Sequence, residues 1–457
     1  MNFSRLVDSA VFRYVQIAIS PPMSASHYPF REVLVIALIG YALLCASAQD
    51  ITFKREQAET MVNQVADDIA KHYYDPKLHG VDWDAKLREA KKKIENSTSS
   101  NLAFANIAAM TDSLDDSHTY FIPPKRSFSF DYGWRIQAIG EQCLVTHVRP
   151  QTDAATKVHS GDEVLAINDY KPTRANIYRI GYVLNVLRPQ SKIQVTVRSE
   201  EGEVRQFEIV PKIFEGQLVT PTVGERRMVG ELEYKRMRPR VVSLDDSVLV
   251  VRIPTFWFDK IEVDKLVAKA RKHKSVILDL RGNFGGATEA VGLLVSGFFD
   301  HDVKIGDLVT RKSTKPMLAK PDRHNFTGGL TVLVDSWSLS AAEMFARVIQ
   351  LEKRGVILGD RTRGMVMGAE VYDHLSAGTV FGVSVTVADV IMSDGRSLEH
   401  VGVIPDEVIL PTANDIANGR DPVLAHAAEI VGAKLSSKDA AQLFPFEWQQ
   451  PYSFAGH

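Results

Sequence analysis

Cysteine is nearly absent from this chain of 457 residues, which has only Cys45 and Cys143. They form no CxxC pair and no His/Cys cluster has zinc spacing, which excludes a disulfide framework and a zinc ribbon. Once Cys45 is removed with a signal peptide, Cys143 stands alone and reads as a buried core thiol. An excess of one charge is missing too. Lys plus Arg number 54 and Asp plus Glu 56, a formal net charge of −2, so no electrostatic case exists for nucleic acid or an anionic membrane surface. No internal repeat or low-complexity stretch is visible, and nothing points to a metal or organic cofactor. Function must be sought in local sites.

The apolar run Val33 to Cys45 is too short to span a bilayer, where about 20 residues are needed. Arg31 precedes it, and Ala46-Ser47-Ala48 supplies small residues where a signal peptidase cuts. The expectation is a signal peptide over 1–48, with Met23 giving a more usual start. The product is exported, periplasmic or secreted, without stable membrane insertion after cleavage. A lipoprotein reading through Cys45 is weaker, because Leu44 sits where a small residue is wanted.

Beyond the leader, Met61, Val62, Val65, Ile69 and Tyr73 recur at helical spacing. Further helices are expected at about 82–95 and 101–114, making 49–127 an N-terminal helical segment. The period then switches to short strands at Trp134–Ile139, Cys143–Val148, Glu163–Ile167, Lys192–Val197 and Val204–Val210. One helix, about Asn176–Leu187, interrupts them. The stretch Ser160-Gly161-Asp162-Glu163-Val164-Leu165-Ala166-Ile167-Asn168 resembles the PDZ signature, so 128–213 is expected to be a PDZ-like domain of five strands and one helix. Such a domain binds a peptide by adding it as a strand to an open sheet edge. Its carboxylate-receiving loop is placed near Gly133 and Trp134. Residues 214–246 read as a connector.

From 247 to 414 the pattern becomes α/β. Strands at Leu249–Ile253, Val276–Leu280 and Thr331–Val334 are near-continuous β-branched or Leu runs, as buried parallel strands are. Helices near 262–273, 286–298 and 341–352 follow them, then a β-rich return at Val356–Leu358 and Thr379–Val387. A last amphipathic helix, Asp421–Lys434, lies in a C-terminal segment 415–457. The fold class is thus multidomain α/β: a helical N-terminal segment, an inserted PDZ-like domain, and a core of βα repeats.

Two strand-to-helix turns carry chemistry. In Val334-Asp335-Ser336-Trp337-Ser338-Leu339-Ser340-Ala341-Ala342-Glu343 a serine stands at a helix start, where free amides and the positive dipole end favour an oxyanion. An ordinary serine cap is the competing reading. In Leu278-Asp279-Leu280-Arg281-Gly282-Asn283-Phe284-Gly285-Gly286 glycines let backbone amides approach a substrate oxygen, and the absence of Lys-Ser/Thr after them argues against a phosphate loop.

Together these turns resemble those of the C-terminal-processing (tail-specific) serine peptidases, which also carry a late Glu-x-x-Gly-Val-x-Pro-Asp stretch, here Glu399 to Asp406. The resemblance makes Ser340 the nucleophile and Ala341 with Gly285 or Gly286 the oxyanion donors. Many members use a lysine base, but that position holds Met365, which cannot take a proton. A second branch, similar to the tricorn core protease, places a histidine in a Leu-x-Asp-x-His-Thr stretch, matched by Leu114 to Thr119. It implies His118 as base and Glu399 as its orienting carboxylate, with Glu399 raising the imidazole pKa. The partner implied is a polypeptide substrate, entering through its C-terminus. The alternatives are a non-catalytic peptide- or ligand-binding protein on the same fold and a PDZ scaffold that only docks unfolded C-termini.

Overall fold

The computed structural model describes residues 55–126, 128–215 and 237–448. The expected signal peptide and most of the expected connector lie outside the described residues.

Residues 55–72 form helix α1, followed by α2 (Trp83–Glu95) and α3 (Ser100–Asp112). The five apolar positions that predicted α1 and its end are all fully buried. Asp82 caps α2 through the Ala85 amide, and Ser99 caps α3 through that of Leu102. The chain then enters β1 (Tyr120–Ile122), which lies antiparallel to the 14-residue strand β17 (Thr379–Met392) and buries Phe121 beside Phe381. The helical segment is therefore sewn to the far end of the sequence.

β2 (Phe128–Asp131) pairs with β8 (Lys212–Glu215), so one two-stranded ribbon carries the chain into and out of the inserted unit. Between them β3 (Trp134–Ile139), β4 (Gln142–Val148), β5 (Glu163–Ile167), β6 (Ile193–Arg198) and β7 (Val204–Ile209) form an antiparallel sheet in sequential order. The accompanying helix α4 (Ile177–Tyr182) runs into a π turn over Val183–Leu187. This is the PDZ-like unit expected from the strand pattern. Cys143 is a free thiol inside it, and burial pushes its pKa up to about 11.

The core sheet comprises β9 (Arg240–Ser243), β10 (Val248–Arg252), β11 (Ser275–Asp279), β14 (Gly329–Val334), β15 (Val356–Gly359) and β18 (Glu407–Val408), in the order 18-15-14-11-10-9. All neighbours are parallel except the edge strand β9. Helices α5 (Lys260–Ala270), α6 (Thr288–Phe298) and α7 (Ala341–Leu351) cover one face, packing on Leu249, Val251, Leu278 and Val332. After a short α8 (Ala413–Ala417), α9 (Pro422–Ile430) and α10 (Ser437–Leu443) cover the other, against Val250, Ile277 and Leu333. The C-terminal helices complete the core. A second sheet, β1-β17-β12-β13 with β16 on β17, adds β12 (Val303–Thr310), β13 (Thr314–Ala319) and β16 (Met367–Ser376), where sequence reading anticipated only part of β17.

Candidate active site

β14 delivers its C-terminal end to the turn 335–340, and α7 starts at Ala341. Ser340 takes φ 52° and ψ −114°, a backbone state that costs a non-glycine residue about 1–3 kcal/mol. Its surroundings hold it there. The Ser340 amide donates to Met365 O (2.9 Å) and to Glu343 Oε2 (3.0 Å), while its carbonyl accepts from the amides of Glu343 and Met344. The Ser340 hydroxyl donates no hydrogen bond among the described residues. Ser338 is the opposite case: fully buried, its Oγ donates to Leu280 O (2.9 Å) and accepts from the Asp335 amide (3.0 Å). One serine knots the turn and the other presents its hydroxyl.

The glycine loop leans on this turn through buried Asn283, whose carbonyl accepts from the Leu339 amide and whose Nδ2 donates to Ile253 O. Its Oδ1 takes the Gly285 amide at 2.8 Å. Gly285, at φ 82°, lies so close that a Cβ would stand 2.7 Å from Ser340 Cβ and 3.2 Å from Ala341 N. Only glycine fits. With the Gly285 amide engaged, those of Gly286 and Ala341 are left without partners among the described residues.

His118 comes from the turn after α3. Asp116 Oδ1 accepts the amides of His118 (2.9 Å) and Thr119 (2.7 Å) and the hydroxyl of Thr386 (2.8 Å), which fixes that turn to β17. Glu399 does not bond His118 directly. Its Oε1 accepts the Ser117 amide (2.8 Å), and its Oε2 accepts the Ser117 hydroxyl (2.9 Å) and the Val366 amide (2.8 Å). Ser117 Oγ in turn lies 2.7 Å from His118 Nδ1. A hydroxyl has one proton. Donated to Glu399, it leaves the oxygen as acceptor, so His118 carries its proton on Nδ1 and its lone pair on Nε2.

Electrostatics follow burial rather than pairing. Desolvation pushes the His118 pKa down to about 4, opposed only by the field of Asp116. The sequence-based expectation that Glu399 raises it is corrected: the carboxylate reaches the ring only through a neutral hydroxyl. Burial pushes the Glu399 carboxyl up, against the Val366 and Ser117 donors. Glu343, fully buried, is pushed up to about 7 although Thr362 Oγ1, the Gly364 amide (2.6 Å), the Met365 amide (2.9 Å) and the Ser340 amide all donate to it. Ser340 thus bonds Met365, Glu399 bonds Val366, and Glu399 carries Ser117 and His118. Ser340, His118 and Glu399 gather around one stretch of backbone, Met365-Val366.

The PDZ-like unit touches the same turns. Gln137 Nε2 donates to Asp335 (2.8 Å), and Ser336 Oγ donates to Ala138 O on the edge strand β3. Buried Arg174 pairs with Asp360 and donates to Gly140 O (3.0 Å) and Arg361 O (2.9 Å); the Gly140 amide also donates to Asp360 (3.0 Å). Gly133 spends its amide on Asp131 Oδ1 (2.8 Å), and its carbonyl accepts from Arg149 N (2.8 Å). Trp134 starts β3 opposite Val148. Sequence reasoning missed Ser117, the buried Asn283, the four-donor role of Glu343 and the Arg174–Asp360 pair. Ser117 lay inside the quoted histidine motif, but no spacing rule links it to a carboxylate 282 residues away.

A serine at a helix start and an imidazole steadied through a carboxylate, with no hydrogen bond between the two among the described residues, are equipment for acyl transfer on an α/β core, the serine-hydrolase class. Residues 247–409 match the model of peptidase family S41. The chain is 25% identical over 269 residues to the tail-specific protease of Haemophilus influenzae, covering 54% of this chain and 36% of that one. It is 23% identical over 372 residues to the chloroplastic carboxyl-terminal-processing peptidase 3 of Arabidopsis thaliana, covering 74% and 66%. The chain therefore spans from about a third to just under two thirds of these relatives' lengths. Among solved structures, mature CPAF superposes with a TM-score of 0.62 at 15% identity, over 80% of this chain and 94% of that one, a likeness of fold. Among the described residues no helix is long and apolar enough to cross a membrane.

Proposed function

We propose that this chain is an exported serine endopeptidase cutting unfolded or C-terminally exposed polypeptides, with Ser340 as nucleophile, His118 as base and Glu399 as the carboxylate that steadies it through Ser117. The observation that carries the reading is the hydrogen-bonded relay Glu399–Ser117–His118. In the reaction Ser340 Oγ attacks the scissile carbonyl while its proton passes to His118 Nε2. The negative oxygen is received by the amides of Ala341 and Gly286, since that of Gly285 is engaged by Asn283. The imidazolium then protonates the leaving amine, and water repeats the cycle on the acyl-enzyme. Export rests on the apolar run Val33 to Cys45 and its Ala46-Ser47-Ala48 site, with cleavage after Ala48. C-terminal recognition rests on the PDZ-like unit over 128–213, which would present the edge strand β3 to an added peptide strand, with Gly133 and Trp134 at its start.

Covalent labelling by a fluorophosphonate probe tests the nucleophile. Wild-type protein and Ser338→Ala, if folded, are labelled and Ser340→Ala is not. No labelling of the wild type would favour a non-catalytic binding protein on this fold.

A further inference from the structure

The two amides proposed to receive the oxyanion come from different segments, Gly286 from the loop after β11 and Ala341 from the turn after β14. These strands run parallel with Asp279 opposite Leu333, and their pairing ends where the Leu280 amide donates to Leu333 O (2.9 Å). Past that point the ladder no longer fixes one segment against the other. An oxyanion hole works only when its donors stand in place before the charge develops.

Asp335, the first residue after β14, bridges the gap. Its Oδ1 accepts the Gly282 amide of the glycine loop (2.9 Å) and the Trp337 amide of its own turn (2.9 Å). Neither amide has another acceptor among the described residues. Its Oδ2 accepts Gln137 Nε2 from β3 (2.8 Å), and its amide donates to Ser338 Oγ (3.0 Å). An ordinary Asx turn needs only the bond two residues along, here to Trp337. The bonds to Gly282 and Gln137 instead cross 53 and 198 residues of chain. One carboxylate thus holds the glycine loop, the nucleophile's turn and the PDZ-like unit together. From Gly282 the hold passes to Asn283, whose Oδ1 takes the Gly285 amide beside Gly286.

We infer that Asp335 is a positioning residue for the reaction: it sets the Gly286 amide against the Ala341 amide, and Gln137 fixes the pose of its carboxylate. The role rests on the peptidase reading. Asp335 touches no reacting atom and acts through the two segments it joins.

Steady-state kinetics on an unfolded polypeptide, with inhibition by the peptide aldehyde acetyl-leucyl-leucyl-norleucinal and by its alcohol, test the role. Ser340 Oγ bonds the aldehyde carbon, its proton passing to His118, and the carbonyl oxygen enters the hole as the anion. The alcohol reports ground-state binding alone. Asp335→Ala should lower kcat by about 10²-fold, the cost of a misplacement of about 1 Å, with little change in KM. Affinity for the aldehyde should fall by a similar factor and that for the alcohol should not. Asp335→Asn keeps an Oδ1 for both amides and should restore most of the rate. Where Asp335→Ala fails to melt as the parent does, Gln137→Met, which removes only the Oδ2 donor, decides by the same split, with a loss of about tenfold. Wild-type kcat in the folded variant, or equal weakening of aldehyde and alcohol, would overturn the role while fluorophosphonate labelling of the wild type still upholds the peptidase. A wild type that neither cuts nor labels refutes the peptidase reading and this role with it.

Discussion

Glu399 reaches His118 only through the hydroxyl of Ser117, 2.9 Å from the carboxylate and 2.7 Å from the imidazole. The link transmits orientation without pairing two charges. It leaves a neutral histidine whose proton is held on Nδ1, and it makes Ser117 a positioning residue that acts through His118.

Ser117→Ala therefore lowers kcat/KM by about 10²-fold, the low end of what a well-placed general base contributes, with little change in KM. Ser117→Thr keeps the hydroxyl and restores part of the rate. Steady-state kinetics on an unfolded polypeptide read both. Wild-type kcat/KM in Ser117→Ala would remove the relay from the mechanism.

The pH dependence follows from burial. A base whose pKa is depressed to about 4 stays deprotonated well below the unperturbed value of about 6.5, so the acid limb of kcat/KM falls below about pH 5. A midpoint at 6.5 or above would instead mean that a carboxylate pairs directly with the ring. Stability moves too. The unfolded chain binds more protons than the folded one between about 4 and 6.5, so His118 costs stability as pH falls through that window. Denaturation series should show His118→Gln losing that acid-side decline.

Glu343 holds the nucleophile's turn with four donors, so Glu343→Gln sets an amide NH₂ against backbone N–H groups. A loss of about 2–3 kcal/mol is expected from urea midpoints, with activity falling as Ser340 leaves its positive-φ state. The carboxyl, raised to about 7, contributes stability that is full below about 4.5 and lost as pH rises through 7, opposite in sign to His118. The variant should lack that loss.

Arg174 and Asp360 join the PDZ-like unit to the core with both side chains under 10% exposed. Removing one partner strands the other, so Arg174→Ala should cost about 3–5 kcal/mol. A cycle with Asp360→Ala should return a coupling of at least about 1 kcal/mol. Additive single losses would mean that the pair does not hold the two units together.

Helix α1 could be read because its apolar positions recur with one period, and the core strands because both of their faces are buried. Strand β13 could not, since Lys315 and Pro316 are exposed and break any alternation. The helix 176–187 was foreseen in extent, but not its closing π turn. At the site, motif order pointed to Ser340, His118 and Glu399 but could not order their contacts. Gly285 and Gly286 were equivalent until Asn283 was seen to hold one amide. The hold of Asp116 on Thr386 arises only when β17 meets the turn after α3.

The most direct test is the rate of His118→Ala beside Ser340→Ala, on an unfolded polypeptide with a free C-terminus. Triad members act as a unit, so both should lose nearly the whole rate, of order 10⁶-fold in kcat, while retaining the wild-type melting profile near neutral pH. Near-normal turnover in folded His118→Ala would contradict the account.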